Sequence, residues 1–390
     1  MPRDFRRLLE SRIVVFDGAT GTRLYDLGVF LHRCFDELNL SSPSTVEDVH
    51  RGYVDVGVDV IETNTFGASR PKLAKHGLAD KVDEINRAGA RIAREAAGSE
   101  LLVAGAVGPL GLRIEPWGPT SLNEAAELFA EQAGALAAEG VDLFCLETFY
   151  DLAEVEAAVA GVRRVSDLPI VAQMTINDDG NSLEGVEPAV FGPQLAALDV
   201  DVIGVNCSVG PAAMLRAVER MSRTSSKPIA AQPNAGKPRV VDNRNFYLCS
   251  PEYMAVYAKR MIESGARVVG GCCGTTPEHL KAIIGAVRSV QPRPSVPAAP
   301  SGEAVGKEPL QGVAAVPFAQ RSRLSAAIDA GRFVVLVEML PPRGTELERN
   351  LRGARDLFQA GIDAINVPDG PRASARMTPA ALALSIEREV

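Results

Sequence analysis

Three cysteines in this chain stand where short apolar runs end. Cys207 follows Val202–Asn206 in Asn206-Cys207-Ser208, and the other two lie in Gly270-Gly271-Cys272-Cys273-Gly274-Thr275. Thiolates are soft ligands, and three converging on one point make a site suited to Zn²⁺. Structural zinc usually takes four protein ligands, whereas catalytic zinc keeps one position for water or substrate. None of the four histidines, His32, His50, His76 and His279, follows an apolar run as a fourth ligand would. An open position is therefore expected. A substrate thiol entering it would lose its proton and remain nucleophilic at neutral pH. The glycines flanking Cys272 and Cys273 would let the backbone bend so that both sulfurs face one metal. Two blander readings stand beside this one. Adjacent cysteines can close a vicinal disulfide, and a lone cysteine after a strand is commonly a buried small hydrophobe. The latter is the expectation for Cys34, Cys145 and Cys249.

Such a site needs a frame that carries distant residues to one point. Eight apolar runs recur: Ile13–Phe16, Val58–Glu62, Leu101–Val107, Leu143–Glu147, Ile170–Thr175, Val202–Asn206, Ile229–Gln232 and Val268–Gly271. Each is too short for a buried helix and rich in Val, Ile or Leu, as a parallel strand buried on both faces should be. Helical stretches separate them. Ser44 with Glu47, and Ser121 with Glu124, have capping-box spacing. Ser250 before Pro251 and Thr276 before Pro277 pair an N-cap with proline at the first helical position. The helix opened by Thr276 would aim its positive end at negative sulfur. This alternation predicts a (β/α)8 TIM barrel over residues 1–290. The competing doubly wound sheet would carry a GxGxxG turn after its first strand, and Asp17-Gly18-Ala19-Thr20-Gly21-Thr22 lacks that spacing. A barrel gathers its active site at the C-terminal ends of its strands, where all three cysteines fall.

Residues 291–320 are rich in Pro, Ala, Gly and Ser and read as a linker. Beyond it, residues 321–390 predict a short helix (Ser322–Ala330), a strand (Phe333–Glu338), a helix (Leu347–Ala360) and a strand (Ala364–Val367). That is one βαβ unit, an incomplete second α/β module too small to cover both faces of a sheet. Composition narrows the partners. The net charge is -8, the pI is about 5.3 and no basic block occurs, so nucleic acid and anionic membrane surfaces are poor partners. No stretch reaches the ~18 apolar residues of a membrane span, and the N-terminus lacks a secretory pattern. A cytoplasmic location, where thiols stay reduced, is the expectation.

Several of these strings carry a family resemblance. Asp17-Gly18-Ala19-Thr20-Gly21, Glu62-Thr63-Asn64-Thr65-Phe66, Glu147-Thr148, Gly204-Val205-Asn206-Cys207 and Gly270-Gly271-Cys272-Cys273-Gly274 resemble the homocysteine methyltransferase family. That family includes betaine–homocysteine methyltransferase and the N-terminal module of cobalamin-dependent methionine synthase. The resemblance implies that Cys207, Cys272 and Cys273 bind zinc, that homocysteine sulfur completes the tetrahedron, and that the product is methionine. It also implies that the Asp17-Gly18 turn and Glu147 hold the amino acid end of homocysteine. Asn234 is implied as an oxygen ligand when substrate is absent, a position water can also fill. Taken without the family, Asp17 and Glu147 are equally strand-end carboxylates paired with Arg or Lys, and Thr63, Asn64 and Thr65 are pocket-wall candidates.

The second module has its own resemblance. Val337-Glu338-Met339-Leu340-Pro341-Pro342-Arg343-Gly344 and Asn366-Val367-Pro368-Asp369-Gly370 look like the opening of methylenetetrahydrofolate reductase. There Glu338 would be the acid that opens the folate ring. Met339 and Leu340 stand where that family has aromatic residues. FAD enters only with a complete reductase domain, and a module this short is not expected to reduce anything. The alternative is that Pro341-Pro342 merely ends a strand and Glu338 is structural. The order of modules resembles a bifunctional homocysteine methyltransferase–methylenetetrahydrofolate reductase. The donor stays open among S-methylmethionine, S-adenosylmethionine, betaine and methyltetrahydrofolate, the last by way of a corrinoid protein or reductase partner, since no DxHxxG corrinoid pattern occurs. The rival to an enzyme is a non-catalytic zinc and thiol-binding module, or an accessory domain of a folate reductase.

Overall fold

The computed structural model describes residues 4–30, 33–241, 244–288, 290, 316–368 and 376–390. His32, most of the expected linker (291–315) and Asp369-Gly370 lie outside the described residues. The chain forms two compact units, Met1–Gly302 and Glu303–Val390.

In the first unit all eight expected strands form: β1 (Val14–Val15), β2 (Val60–Glu62), β3 (Leu102–Val107), β4 (Leu143–Phe149), β5 (Ile170–Met174), β6 (Val202–Asn206), β7 (Ile229–Gln232) and β8 (Ala266–Val269). All pair in parallel, in the spatial order β1-β8-β7-β6-β5-β4-β3-β2. A bridge between Phe16 and Val60 joins the two ends, with Asp17 N–H donating to Val60 O at 3.0 Å, so the sheet closes into a barrel. Val14, Phe16, Val60, Leu102, Ala104, Leu143, Cys145, Val171, Val202, Ala230 and Val268 pack as one buried cluster, the barrel interior. Phe5 and Leu9 of the N-terminal helix Phe5–Ser11 join it. The other strand face packs on the helices, which is why the strands read as unbroken apolar runs.

Two strand ends differ from expectation in ways that matter for the site. β8 stops at Val269, not Gly271, because Gly271 N–H turns to Asp17 O (3.0 Å) and Cys272 N–H to Pro233 O (2.9 Å). β4 runs on to Phe149, and its register shifts between Leu146 and Phe149. An irregularity of this kind re-aims side chains at a barrel rim, here Glu147 and Thr148. The caps at Ser121–Glu124 and Ser250–Pro251 form as expected. Ser44–Glu47 does not cap. Pro43 takes the first helical position, Ser42 is the N-cap, and Glu47 accepts from Arg51 Nε at 2.8 Å. Proline is favoured at that first position because its missing N–H costs the helix nothing there.

The barrel's lower seam is fastened by Asp59, whose side chain is 2% exposed. It accepts from Val15 N–H (2.8 Å), from Arg288 Nη1 and Nη2 (2.9 and 3.0 Å) and from Arg12. One carboxylate thus ties β1, the start of β2 and the end of the last barrel helix, Pro277–Val287.

The second unit holds helix Arg323–Asp329, β9 (Leu336–Glu338), helix Glu348–Gln359, β10 (Ala364–Asn366) and a further helix, Pro379–Glu389. β9 and β10 pair in parallel, as one βαβ unit should. β9 is shorter than expected, and Phe333, assigned to it, is 88% exposed. Glu338 ends β9, exposed, in register with Asn366. Among the described residues no helix is long and apolar enough to cross a membrane.

Replacing Asp59 by Ala removes the shared acceptor of two guanidiniums, and we expect a loss of about 3 kcal/mol. The urea midpoint at unchanged slope reads it. A loss below about 1 kcal/mol would mean that solvent offsets both cations.

Candidate active site

The three cysteines meet at the C-terminal mouth of the barrel. Their sulfurs all lie within 4.8 Å of one another, with Cys207 Sγ 3.7 Å from Cys273 Sγ. All six cysteines of the chain are free, so Cys272 and Cys273 are not joined as a vicinal disulfide. The loops that carry them are stitched together by backbone. Cys207 N–H donates to Gln232 O (3.1 Å), Cys272 N–H to Pro233 O (2.9 Å) and Ala235 N–H to Cys273 O (2.9 Å). Cys207 and Ser208 both adopt left-handed backbone, φ 60° and 57°. Such conformations cost on the order of 1–3 kcal/mol each outside glycine and persist where surroundings enforce them.

The donor set fits zinc. Tetrahedral Zn–S bonds of about 2.3 Å place sulfurs about 3.8 Å apart, close to the Cys207–Cys273 spacing. Hydrogen bonds from Cys207 and then Cys272 hold the Cys273 thiol well below its ordinary range, with the Tyr247 hydroxyl a further donor. Hydrogen bonds with Cys207 and then Cys273, followed by burial, push Cys272 well up. Asn234, after β7, is buried, and its Oδ1 has no hydrogen-bond partner among the described residues. A buried orphan acceptor is costly unless something else meets it.

A second group of residues makes the pocket acidic. Asp17 is buried, and its Oδ2 accepts from Glu62 N–H at 3.0 Å while Oδ1 has no partner. Glu147 Oε2 accepts from Asn206 Nδ2 at 3.0 Å. Asn206 also holds Thr148, itself at φ 64°, by accepting from Thr148 N–H at 2.7 Å. Glu62 Oε1 accepts from Gln232 Nε2 (2.9 Å), and Gln173 Nε2 donates to Gln232 Oε1 (2.6 Å). Burial raises all three carboxyls above the usual range, and the charge of Glu62 raises Asp17 and Glu147 further. Among the described residues no Lys, Arg or His pairs with Asp17, Glu62 or Glu147, so the reading of Asp17 and Glu147 as strand-end ion pairs does not hold.

Part of this assembly lines one cavity of about 470 Å³. Gly18, Glu62, Glu147, Cys207, Cys272 and Cys273 face it together. At Gly18 an added Cβ would meet Thr275 Oγ1 at 2.5 Å, because Thr275 Oγ1 accepts from Ala19 N–H and draws the first and last loops together. The structure brings Asp17, Gly18, Glu147, Asn234 and the three cysteines to one mouth. Glu338 belongs to the other unit.

Sequence reasoning passed over several residues. Glu62 ends β2 just as Glu147 stands at the end of β4, and that signal could have found it. Tyr247 lies over Gly274, where a Cβ would strike its ring at 2.1 Å; no motif marks it. Cys34 lines the cavity beside Asp36 and is half-buried, and Cys145, though buried, donates to Glu62 Oε1 at 3.6 Å; neither sits in purely apolar surroundings. His279 is buried, with Nδ1 accepting from Thr276 N–H (3.2 Å) and Nε2 donating to Cys249 O (2.9 Å).

Comparison with known proteins agrees with this geometry. The barrel has the fold of the homocysteine methyltransferase MmuM from Escherichia coli in its metallated form, with a TM-score of 0.61 and 24% identity, covering 71% of this chain and 98% of that one. Methionine synthase from Mycobacterium leprae is 34% identical over 342 residues, 82% of this chain. The Mycobacterium tuberculosis methionine synthase is 33% identical over 336 residues, 81% of this chain. The chain spans 28% of the length of each of these two relatives. Residues 14–287, β1 through the last barrel helix, match the homocysteine S-methyltransferase family model, and the chain belongs to that family.

Proposed function

We propose that the barrel transfers a methyl group to the sulfur of homocysteine, forming methionine, with a zinc ion held by Cys207, Cys272 and Cys273. The observation that carries this reading is the site itself: three converging sulfurs in a cavity lined by Glu62 and the half-buried Glu147, with buried Asp17 against Glu62 and, among the described residues, no protein cation paired with any of the three carboxyls. The names of the mycobacterial relatives support methionine as the product. Zinc, when bound, supplies the Lewis acidity that keeps a substrate thiol deprotonated near neutral pH.

The chain's own residues do the rest. Asp17 and Glu147 receive the substrate ammonium, which returns their carboxyls to the charged form. Glu62 supports both, holding Asp17 through its N–H and sharing the buried layer with Glu147. Gly18 lines the cavity, and the backbone N–H groups of its turn suit the substrate carboxylate. Asn234 Oδ1, buried without a hydrogen-bond partner among the described residues, would complete the metal's donor set in the absence of substrate, a role water could also fill. With sulfur and ammonium both held, the homocysteine sulfur attacks the donor methyl in line. The new S–CH₃ bond forms as the donor–CH₃ bond breaks, and its electron pair leaves with the donor. Holding the reactants in that line lowers the barrel's task to positioning.

We assign the C-terminal unit as the opening of a methylenetetrahydrofolate reductase-like module, with Glu338 in the acid position. The parallel βαβ pairing and the Glu338-to-Pro342 string support this. FAD would require the remainder of such a domain.

The zinc-loaded protein is expected to form methionine from homocysteine with at least one small methyl donor, assayed one donor at a time. Stoichiometric zinc with no methionine from any donor would favour a binding module instead. Cys272→Ser should lose both zinc and activity; a full equivalent of zinc retained in that variant would sink the ligand assignment. Glu147→Gln should raise the homocysteine KM about tenfold or more, the usual cost of one charge-assisted hydrogen bond. An unchanged KM would remove Glu147 from substrate binding.

A further inference from the structure

The cavity does not end at the acidic group. Its far wall carries Phe66, Lys72, Lys75 and His76, on the chain that follows β2. Lys72 is half-buried, with its ammonium 5.1 Å from the centre of the Phe66 ring. Lys75 converges on it. Lys72 Cε and Lys75 Nζ lie 3.4 and 3.5 Å from the point a Cβ on Gly111 would occupy. After burial, the charge of Lys75 disfavours that of Lys72, and among the described residues neither forms an ion pair. Asp36 is the nearest relief for Lys72, acting at a distance while its own carboxylate accepts from Gly67 N–H at 2.8 Å. Arg33, on the same wall, is already paired with Glu37 at 2.9 Å.

The cavity therefore carries a more buried acidic group, Glu62 and Glu147, and a more exposed basic one, Lys72, Lys75 and His76. Its volume falls within the roughly 300–1,000 Å³ that fully enclose drug-sized ligands, more than one small amino acid fills. Homocysteine cannot serve both ends. Its carboxylate and ammonium share one carbon, so an ammonium at Asp17 and Glu147 keeps the carboxylate beside them. We propose that Lys72 and Lys75, with His76 at the mouth, bind an anionic group, carboxylate or phosphate, carried by the methyl donor. The donor would then lie along the cavity with its methyl-bearing centre inward and its anion outward. This rests on the methyl-transfer reading for the identity of the ligand, but not for the existence of an anion site.

The test uses the zinc-loaded full chain and its Lys72→Gln/Lys75→Gln variant. Two donors are compared, a methylsulfonium carboxylate and the matching carboxamide, which share a reacting centre and differ in the anion. The native protein should favour the carboxylate at least tenfold in kcat/KM. The variant should lose that preference while its homocysteine KM stays within twofold. An unchanged preference, or a rise confined to the homocysteine KM, overturns the assignment, the latter because the anion would be homocysteine's own. Turnover of neither donor counts against these donors or the methyl-transfer reading, and the anion site is then read directly. Inorganic sulfate, titrated calorimetrically, should bind the native protein with one more site than the variant. Equal binding would overturn the proposal independently of any activity.

Discussion

The site is governed by uncompensated negative charge in a buried place. Glu62 and Glu147 line one cavity with three thiols, Asp17 lies buried against Glu62, and no lysine, arginine or histidine among the described residues pairs with the carboxyls. Burial makes an isolated charge expensive, so these groups drift toward their neutral forms. That state is unstable to any ligand that brings cations. A divalent metal at the sulfurs and an ammonium at the carboxyls, as proposed above, would each relieve part of it.

Holding such groups together requires a frame that resists their repulsion. Closure of the barrel supplies it, with Asp59 locking the lower seam and the loops of β6, β7 and β8 cross-bonded at the upper rim. The rim is also where backbone strain collects. Thr148, Cys207 and Ser208 are the described non-glycine residues with left-handed backbone, and all three flank the cavity's key groups. Asn206 links two of these places, since it binds both Glu147 and Thr148 and precedes Cys207. One amide side chain therefore sets the carboxylate and the thiol relative to each other.

The basic wall adds direction to the same field. A cavity acidic within and basic at its mouth orients a dipolar ligand before any specific contact forms. The aromatic face of Phe66 under Lys72 keeps that ammonium poised where solvent alone would not fix it.

Much of this was legible along the chain. Parallel strands buried on both faces must be apolar throughout, so the runs from Ile13 to Gly271 announced eight strands and hence a barrel. Strand ends in a barrel converge, which placed Cys207, Cys272 and Cys273 together from their positions alone, family strings pointed to Asp17, Gly18 and Glu147, and the resemblance as a whole to Asn234. Local signals were less secure where two residues competed for one role, as Ser42 and Ser44 did for a helix cap. Other features belong to no local string. The partnership of Glu62 with Asp17 beyond β1 and with residues on β4 and β7, and the hydroxyl of Tyr247 at Cys273, join segments far apart in sequence. Periodicity records which face of an element is buried; it does not record which polar groups end within a few ångströms of each other, and only closure of the barrel decided that.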